Sequence, residues 1–357
     1  MRTKPTWPEI ITAAKARCAT SAANHPPPDG REIFNEIVTT AATDRIRTWR
    51  GFQEWADRFD DTWAFRGHTD AAWDLETSLD RATILHYRTK LSSGTYRRAA
   101  SHEKWMLDEF QKRAHQYLSH LPSGDEVIDW LALMQHYGAP TRLLDWTRSP
   151  YVALYFALEK TVPSPAKERD TAAMQRGRRT RRQKPAAVWA INCEWALKEA
   201  AKSWDQFDPN LPDAAMKARI SRLASERLAG EAHSDGPLGI VFPVDLHHVN
   251  ERMVAQQGLH LCSPQCSPPF DIALLTMVFR DENPDTSPIR KLIIRPQNRI
   301  PFLKELRRMN ITAASLFPGL EGFGRSLAAE LEIKMVDEKI AAGRQAASTD
   351  SSLAGGD

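Results

Sequence analysis

Cysteine is scarce in this chain, with four residues, at 18, 193, 262 and 266, among 357. That is too few for a disulfide scaffold and suits a reducing compartment. Cys262 and Cys266 lie near His260, but a structural zinc usually takes two close pairs of ligands, and no second pair follows. Ordinary thiols and no metal are the expectation. No run approaches the roughly 18 apolar residues of a membrane span. The N-terminus, Met1-Arg-Thr-Lys-Pro-Thr-Trp7, lacks the apolar stretch of a secretory signal. A cytoplasmic protein without membrane contact is therefore expected. Net charge is also small, at +3, so bulk charge alone does not indicate a nucleic-acid binder.

What is present suits an ordinary folded protein. Hydrophobic residues make up 42% and charged residues 26%, enough to bury a sizeable core. At about 100–200 residues per domain, the length allows two or three domains. Tryptophan is abundant, with eleven residues. Trp63, Trp73 and Trp146 stand in polar contexts, where an indole lines a cleft as readily as it fills a core.

Apolar spacing predicts helices over 7–20 and 31–58, split by the Asn24-His-Pro-Pro-Pro-Asp-Gly30 turn. A short strand at Trp63–Arg66 ends at Gly67, and Ala72–Leu79 reads as a second extended piece. Ser101 opens an amphipathic helix with Trp105, Met106, Phe110, Ala114, Tyr117 and Leu118 at helical spacing. Another helix, Glu126–His136, is stopped by Gly138 and Pro140. Ser149 as N-cap and Pro150 at the first helical position open a third, Tyr151–Lys160.

The next segment, 161–186, is polar and basic with no apolar period. A strand is expected at Ala187–Asn192 and a helical stretch at 213–232. Strands are expected at Gly239–Val244, Ile272–Phe279 and Ile289–Ile294. Helices at Pro301–Met309 and Gly324–Ile340 follow. The Ala-, Ser- and Gly-rich tail at 341–357 has little to bury and is expected to be disordered. Helices mixed with short strands indicate an α+β fold, with a mixed or antiparallel short-stranded sheet and helical decoration.

Three blocks lie along this path. The first is Phe65-Arg66-Gly67. The second runs from Gln135-His-Tyr-Gly-Ala-Pro-Thr-Arg-Leu-Leu-Asp-Trp-Thr147 through Ser149-Pro150 to Ala153-Leu-Tyr-Phe-Ala157. The third is Arg252-Met253 with Gln256 and Gly258, and Ser315–Gly322 follows. Together they resemble the FRG domain family, over roughly 50–325. This divides the chain into an N-terminal helical region at 1–58, an FRG domain at 59–335 with a basic insertion at 161–186, and the tail.

The layout is also similar, more remotely, to ADP-ribosyltransferases. That resemblance implies NAD as substrate, with Arg66 as the first-strand arginine contacting it. Thr147 and Ser149, backed by Phe156, would shape the nicotinamide pocket. In that superfamily a Glu on a later strand steadies the ribose. Here Ala255–Leu261 carries glutamines instead, so Gln256 takes the position, and Glu251 or Glu321 would have to supply the charge.

Physical chemistry alone leaves alternatives open. The Arg66 guanidinium can grip phosphate oxygens through two parallel hydrogen bonds, and Gly67 would let a ligand come close to the backbone. It can equally be clamped by Asp145 or Asp74. Arg142 through Thr147 reads as leading into a helix start, where free N–H groups favour anions. Ser149 serves there as a cap, and Asp145 orients Arg142 or Arg66 rather than acting as an acid. His136 and His68 titrate near neutrality but are more often structural. Gln135, lacking an ionisable group, is a ligand contact.

Arg176–Lys184 holds six cations in nine residues, suited to nucleic acid or an acidic protein, or to plain solvation. Two functions follow. One is an NAD-binding ADP-ribosyltransferase or NAD glycohydrolase of a defence or toxin type. The other is a non-catalytic nucleotide or nucleic-acid binding module.

Overall fold

A computed structural model describes residues 6–21, 30–87, 93–160, 183–203, 215, 239–244, 246, 250–264, 266, 268–281 and 286–353. Its centre is a seven-stranded mixed sheet within an α+β fold, in the order β1 (Thr43–Ile46), β7 (Ile289–Ile294), β4 (Ala186–Asn192), β2 (Trp63–His68), β3 (Leu143–Thr147), β6 (Gly258–Cys262), β5 (Phe242–Val244). Among the described residues, no helix is long and apolar enough to cross a membrane.

The expected helix at 31–58 is three elements. Helix α2 (Gly30–Ala41) ends, strand β1 (Thr43–Ile46) runs parallel to β7 (Ile289–Ile294), and α3 (Trp49–Ala56) begins. Thr48 makes this break, because its hydroxyl accepts from the Gly51 N–H at 3.1 Å and caps α3. Helices α1 (Trp7–Ser21) and α2 bury Trp7, Ile11, Phe34 and Ile37 in the same core cluster as the sheet.

Strand β4 (Ala186–Asn192) sits inside the sheet and is buried from Ala186 to Ile191, pairing through six residues with β7 and six with β2 (Trp63–His68). One face packs on α1, α2, α6 (Val127–His136), α8 (Cys193–Lys202) and α10 (Phe270–Arg280). The other packs on α3, α7 (Pro150–Leu158) and α11 (Arg299–Arg308), through an aromatic cluster of Trp49, Phe52, Trp55, Phe59 and Phe65.

The strand expected at Ile272–Phe279 is instead the middle of α10. Its buried residues, Phe270, Asp271, Ala273, Leu274, Leu275, Met277 and Val278, recur at helical rather than alternating spacing. Of 239–244 only β5 (Phe242–Val244) is strand, and 73–77 has no ladder partner. Residues 142–147, read as leading into a helix start, hold strand β3 (Leu143–Thr147), and a helix does follow at Pro150. Apart from Ala215, the stretch at 213–232 lies outside the described residues.

Helix α13 runs from Leu320 to Leu353, through most of the tail expected to be disordered. Alanine, the strongest helix former, recurs there at 341, 342, 346 and 347.

A buried charge cluster ties α2 to α10. Arg31 Nε donates to Asp271 Oδ2 at 2.7 Å, while Arg31 Nη1 lies 2.6 Å from Glu76. Burial pushes the Asp271 carboxyl up to about 7, Arg31 offsets part of this, and Asp74 and Asp80 push it further. The folded form thus holds a proton that the unfolded chain has released above about pH 4. Stability contributed here falls as pH rises through that window, by up to about 1.4 kcal/mol per unit. Asp271→Asn should therefore gain on wild type in urea midpoint as pH rises from 5 to 7. Parallel pH curves would contradict this.

Candidate functional site

The site lies where the sheet is least joined. Strands β2 and β3 are six and five residues long, yet they share a single ladder pair, Phe65↔Thr147. Strand β3 pairs fully with β6 (Gly258–Cys262) on its other side, through five residues. Beyond Phe65 and Thr147 a cleft of about 410 Å³ opens beside both strands. Its lining draws Arg66 and Gly67 from β2, Asp145 and Thr147 from β3, His260 from β6, Phe156 from α7, and Gln135 and His136 from α6. Trp73, Trp146, Glu159, Lys160, Asn250, Arg252 and Gln256 are also among its lining residues.

Gly67 is what lets α7 lie on β2. A Cβ there would stand 2.1 Å from the Ala153 carbonyl oxygen and 2.5 Å from the Ala157 nitrogen. Helix α7 is set by Ser149, whose hydroxyl accepts from the Val152 N–H at 3.3 Å, with Pro150 in its first turn. Ser149 is thus spent as a cap and does not line the cleft. Thr147, its neighbour, does; its hydroxyl donates to the Gln256 carbonyl at 2.7 Å and accepts from the Ser149 N–H.

Arg66 is pinned. Its Nε donates to His68 Nε2 at 3.2 Å and its Nη1 to the Asp145 carbonyl, while Asp145 Oδ2 lies 4.0 Å from Nη1. Neither hydrogen bond uses Nη2. Burial lowers the guanidinium's pKa, Asp145 offsets part of that, and Arg81 adds to the lowering. His68 is buried, and that burial, with the Arg66 and Lys291 charges, drops its pKa well below the usual value. A neutral His68 can accept from Arg66, which fixes its tautomer with the proton on Nδ1.

Asp145 is the most elaborately held group. Its Oδ1 takes the Gln135 amide at 2.6 Å and faces His260 Nε2 at 3.1 Å. Two thirds of the side chain remains open to the cleft. Burial by the walls works against its charge. The His260 hydrogen bond and charge, then Arg66, then Gln135, outweigh that and hold the carboxyl well below its ordinary range. Gln135 is itself fixed, its Oε1 accepting from the Thr141 hydroxyl. Two buried polar atoms of the lining, His260 Nδ1 and Trp146 Nε1, have no hydrogen-bond partner among the described residues, an arrangement native structures rarely leave unexplained.

The structure separates other residues from the cleft. Arg142 turns away into the interior, where Glu103 binds it, because β3 alternates and its preceding residue faces α5 (Ser93–Ala114). Glu321 is exposed on α13 and pairs with Arg325; neither it nor Glu251 lines the cleft. Among the described residues the cleft's carboxylates are Asp145 and Glu159, and the latter is ion-paired with Arg325. Gln256 lines the cleft, but its amide donates to the Leu316 carbonyl at 2.9 Å, which makes it a strut between β3 and the Leu316 turn. His136 has a lowered pKa, from burial and then the Arg252 charge. Of the basic run, only Gln183 and Lys184 lie within the described residues, and Lys184 pairs with Asp70.

His260 and Asn250 had no cleft role assigned from sequence; Arg252 stood only within the third motif block, while Trp73, read as able to line a cleft, does so. The signal for His260 was its place in register opposite Asp145, and pairing register is invisible in a single sequence.

Comparison with known proteins gives one family. Residues 61–165 match the family model of the FRG domain. The match spans Arg66, Gly67, Gln135, Asp145, Thr147 and Phe156, and ends before Arg252, Gln256 and His260. No curated protein and no solved structure matches the chain.

Proposed function

We propose that the FRG domain carried by this chain binds NAD in the Arg66 cleft and cleaves its N-glycosidic bond, passing ADP-ribose to water or to an acceptor. The observation that carries this reading is Asp145, an ionised carboxylate open to the cleft and held between Arg66, Gln135 and His260. Breaking the bond between ribose C1′ and the nicotinamide nitrogen sends the bonding pair to nicotinamide and leaves an oxocarbenium-like ribose. A fixed anion beside it lowers that barrier. With water as acceptor, the water oxygen bonds to C1′ and its proton goes to solvent, giving ADP-ribose, nicotinamide and H⁺.

The remaining lining fits such a ligand. Arg66 and Arg252 offer guanidinium forks for phosphate oxygens, and Trp73 and Phe156 offer aromatic faces for flat rings. The test is nicotinamide release from NAD, with cell extract and nucleic acid present as acceptors. Asp145→Asn, which keeps the size of the side chain and removes its charge, is expected to slow release by about 10²-fold or more. Arg66→Ala should abolish it, and Gln256→Ala should act through the folded position of β6 rather than on chemistry. NAD binding without release by folded wild type would leave a non-catalytic nucleotide module.

A further inference from the structure

We propose that Arg252 is a second anion-binding residue of the cleft, and that the ligand it selects carries a diphosphate. The inference rests on reading the cleft as a nucleotide site.

Arg252 lies in a five-residue helix, α9 (Glu251–Ala255), capped by Asn250, whose side chain accepts from the Met253 N–H. Its guanidinium carbon stands 4.7 Å from the centre of the Phe317 ring, and that of Arg325 stands 3.8 Å from the same centre. The Phe317 ring is itself set edge-on to Phe156 of the cleft, at 6.0 Å between centres. An aromatic face attracts and orients a guanidinium without neutralising it.

The two cations on this ring differ in their partners. Arg325 is matched by Glu159 and Glu321. Arg252, among the described residues, has no carboxylate within 4.0 Å, although it lines the cleft. Its charge is felt at His136, which it helps to keep neutral.

Its mount is firm. The turn after α9 is tied to β3 by Thr147 Oγ1 donating to the Gln256 carbonyl, and by the Arg148 N–H donating to the Gln257 carbonyl at 2.9 Å. The Gln256 amide ties it to Leu316, next to Phe317. The sheet order puts β2 and β6 on the two sides of β3, so Arg66 and Arg252 reach the cleft from different elements. A lone phosphate held at Arg66 would leave Arg252 unmatched. A diphosphate offers both guanidiniums oxygens, which suits a dinucleotide or a nucleoside diphosphate.

Arg252 is exposed, so its replacement should leave the fold intact. Calorimetric titration with inorganic pyrophosphate, inorganic phosphate and ADP-ribose reads the proposal directly. Wild type is expected to prefer pyrophosphate to phosphate. Arg252→Gln should weaken pyrophosphate and ADP-ribose by about tenfold or more and erase that preference. Arg252→Lys, keeping the charge without the planar fork, should fall between. Unchanged pyrophosphate affinity in Arg252→Gln, or no pyrophosphate binding by wild type, would overturn the proposal. Failure of nicotinamide release with an Arg252-dependent pyrophosphate site intact would sink the NAD reading alone.

Discussion

Glu103→Ala is expected to lose about 3–5 kcal/mol of folding stability, because it strands a buried positive charge. Glu103 and Arg142 are both nearly inaccessible, at 3% and 9% of their side chains. The carboxylate meets the guanidinium at Nε and Nη2 and also accepts the Arg142 backbone N–H at 2.9 Å. Among the described residues only the Pro264 carbonyl, 2.7 Å from Nη1, would remain to Arg142. Desolvation makes such a pair weak evidence for net stability, yet breaking it from one side is costly. A loss of this size is a large share of the roughly 5–15 kcal/mol that holds a typical domain. Urea unfolding at neutral pH measures it. The paired replacement Glu103→Leu with Arg142→Met should recover most of the loss, since no charge is then left behind. A Glu103→Ala midpoint equal to wild type would show that the pair is hydrated in solution.

Gly67→Ala is the second large effect, for a steric reason. One added methyl would sit 2.1 Å from the Ala153 oxygen and 2.5 Å from the Ala157 nitrogen. Both are backbone atoms of α7, so no side chain can rotate out of the way. Overpacking in cores costs about 1–3 kcal/mol when neighbours can adjust; here the helix itself must move, and about 3 kcal/mol or more is expected. Moving α7 would also unseat Leu154, Tyr155 and Phe156. The discriminating variant is Gly67→Ala with Ala153→Gly. Because the collision is with main chain, trimming Ala153 should rescue nothing, and recovery of the melting temperature in that double variant would refute the steric account.

The parts of this fold legible in the sequence are those whose signals are local. Ser149 and Pro150 announce α7, and Gly138 and Pro140 end α6. The apolar runs at 187–192 and 289–294 mark strands of the sheet interior. Misreadings came where a tertiary partner decides. Ile272–Phe279 has the β-branched and apolar look of a strand, but burial against α1, α2 and α8 makes it a helix. Thr43–Ile46 is four residues long, and its extended form depends on β7, nearly 250 positions later.

The cleft follows the same division. Arg66, Gly67, Gln135, His136, Thr147 and Phe156 stand out by their spacing, and all line it. Arg142 and Asp145 are three positions apart in one motif and look alike in sequence. Strand alternation sends one into the interior and the other to the cleft. His260 and Arg252 come from beyond the matched family segment; His260 meets Asp145 through the β3–β6 register, and Arg252 is brought in by the turn that Thr147 ties to β3.

The single rung joining β2 to β3 has a mechanical side. Strands β1, β7, β4 and β2 form one raft and β3, β6 and β5 another, with one backbone rung as their seam. A molecule gripping Arg66 on one raft and His260 or Arg252 on the other acts as a rivet across that seam. Its binding energy becomes structural strength, about 2.7 kcal/mol at a hundredfold excess over its dissociation constant. Thermal protection by a small-molecule collection is thus a direct way to ask this chain what it holds.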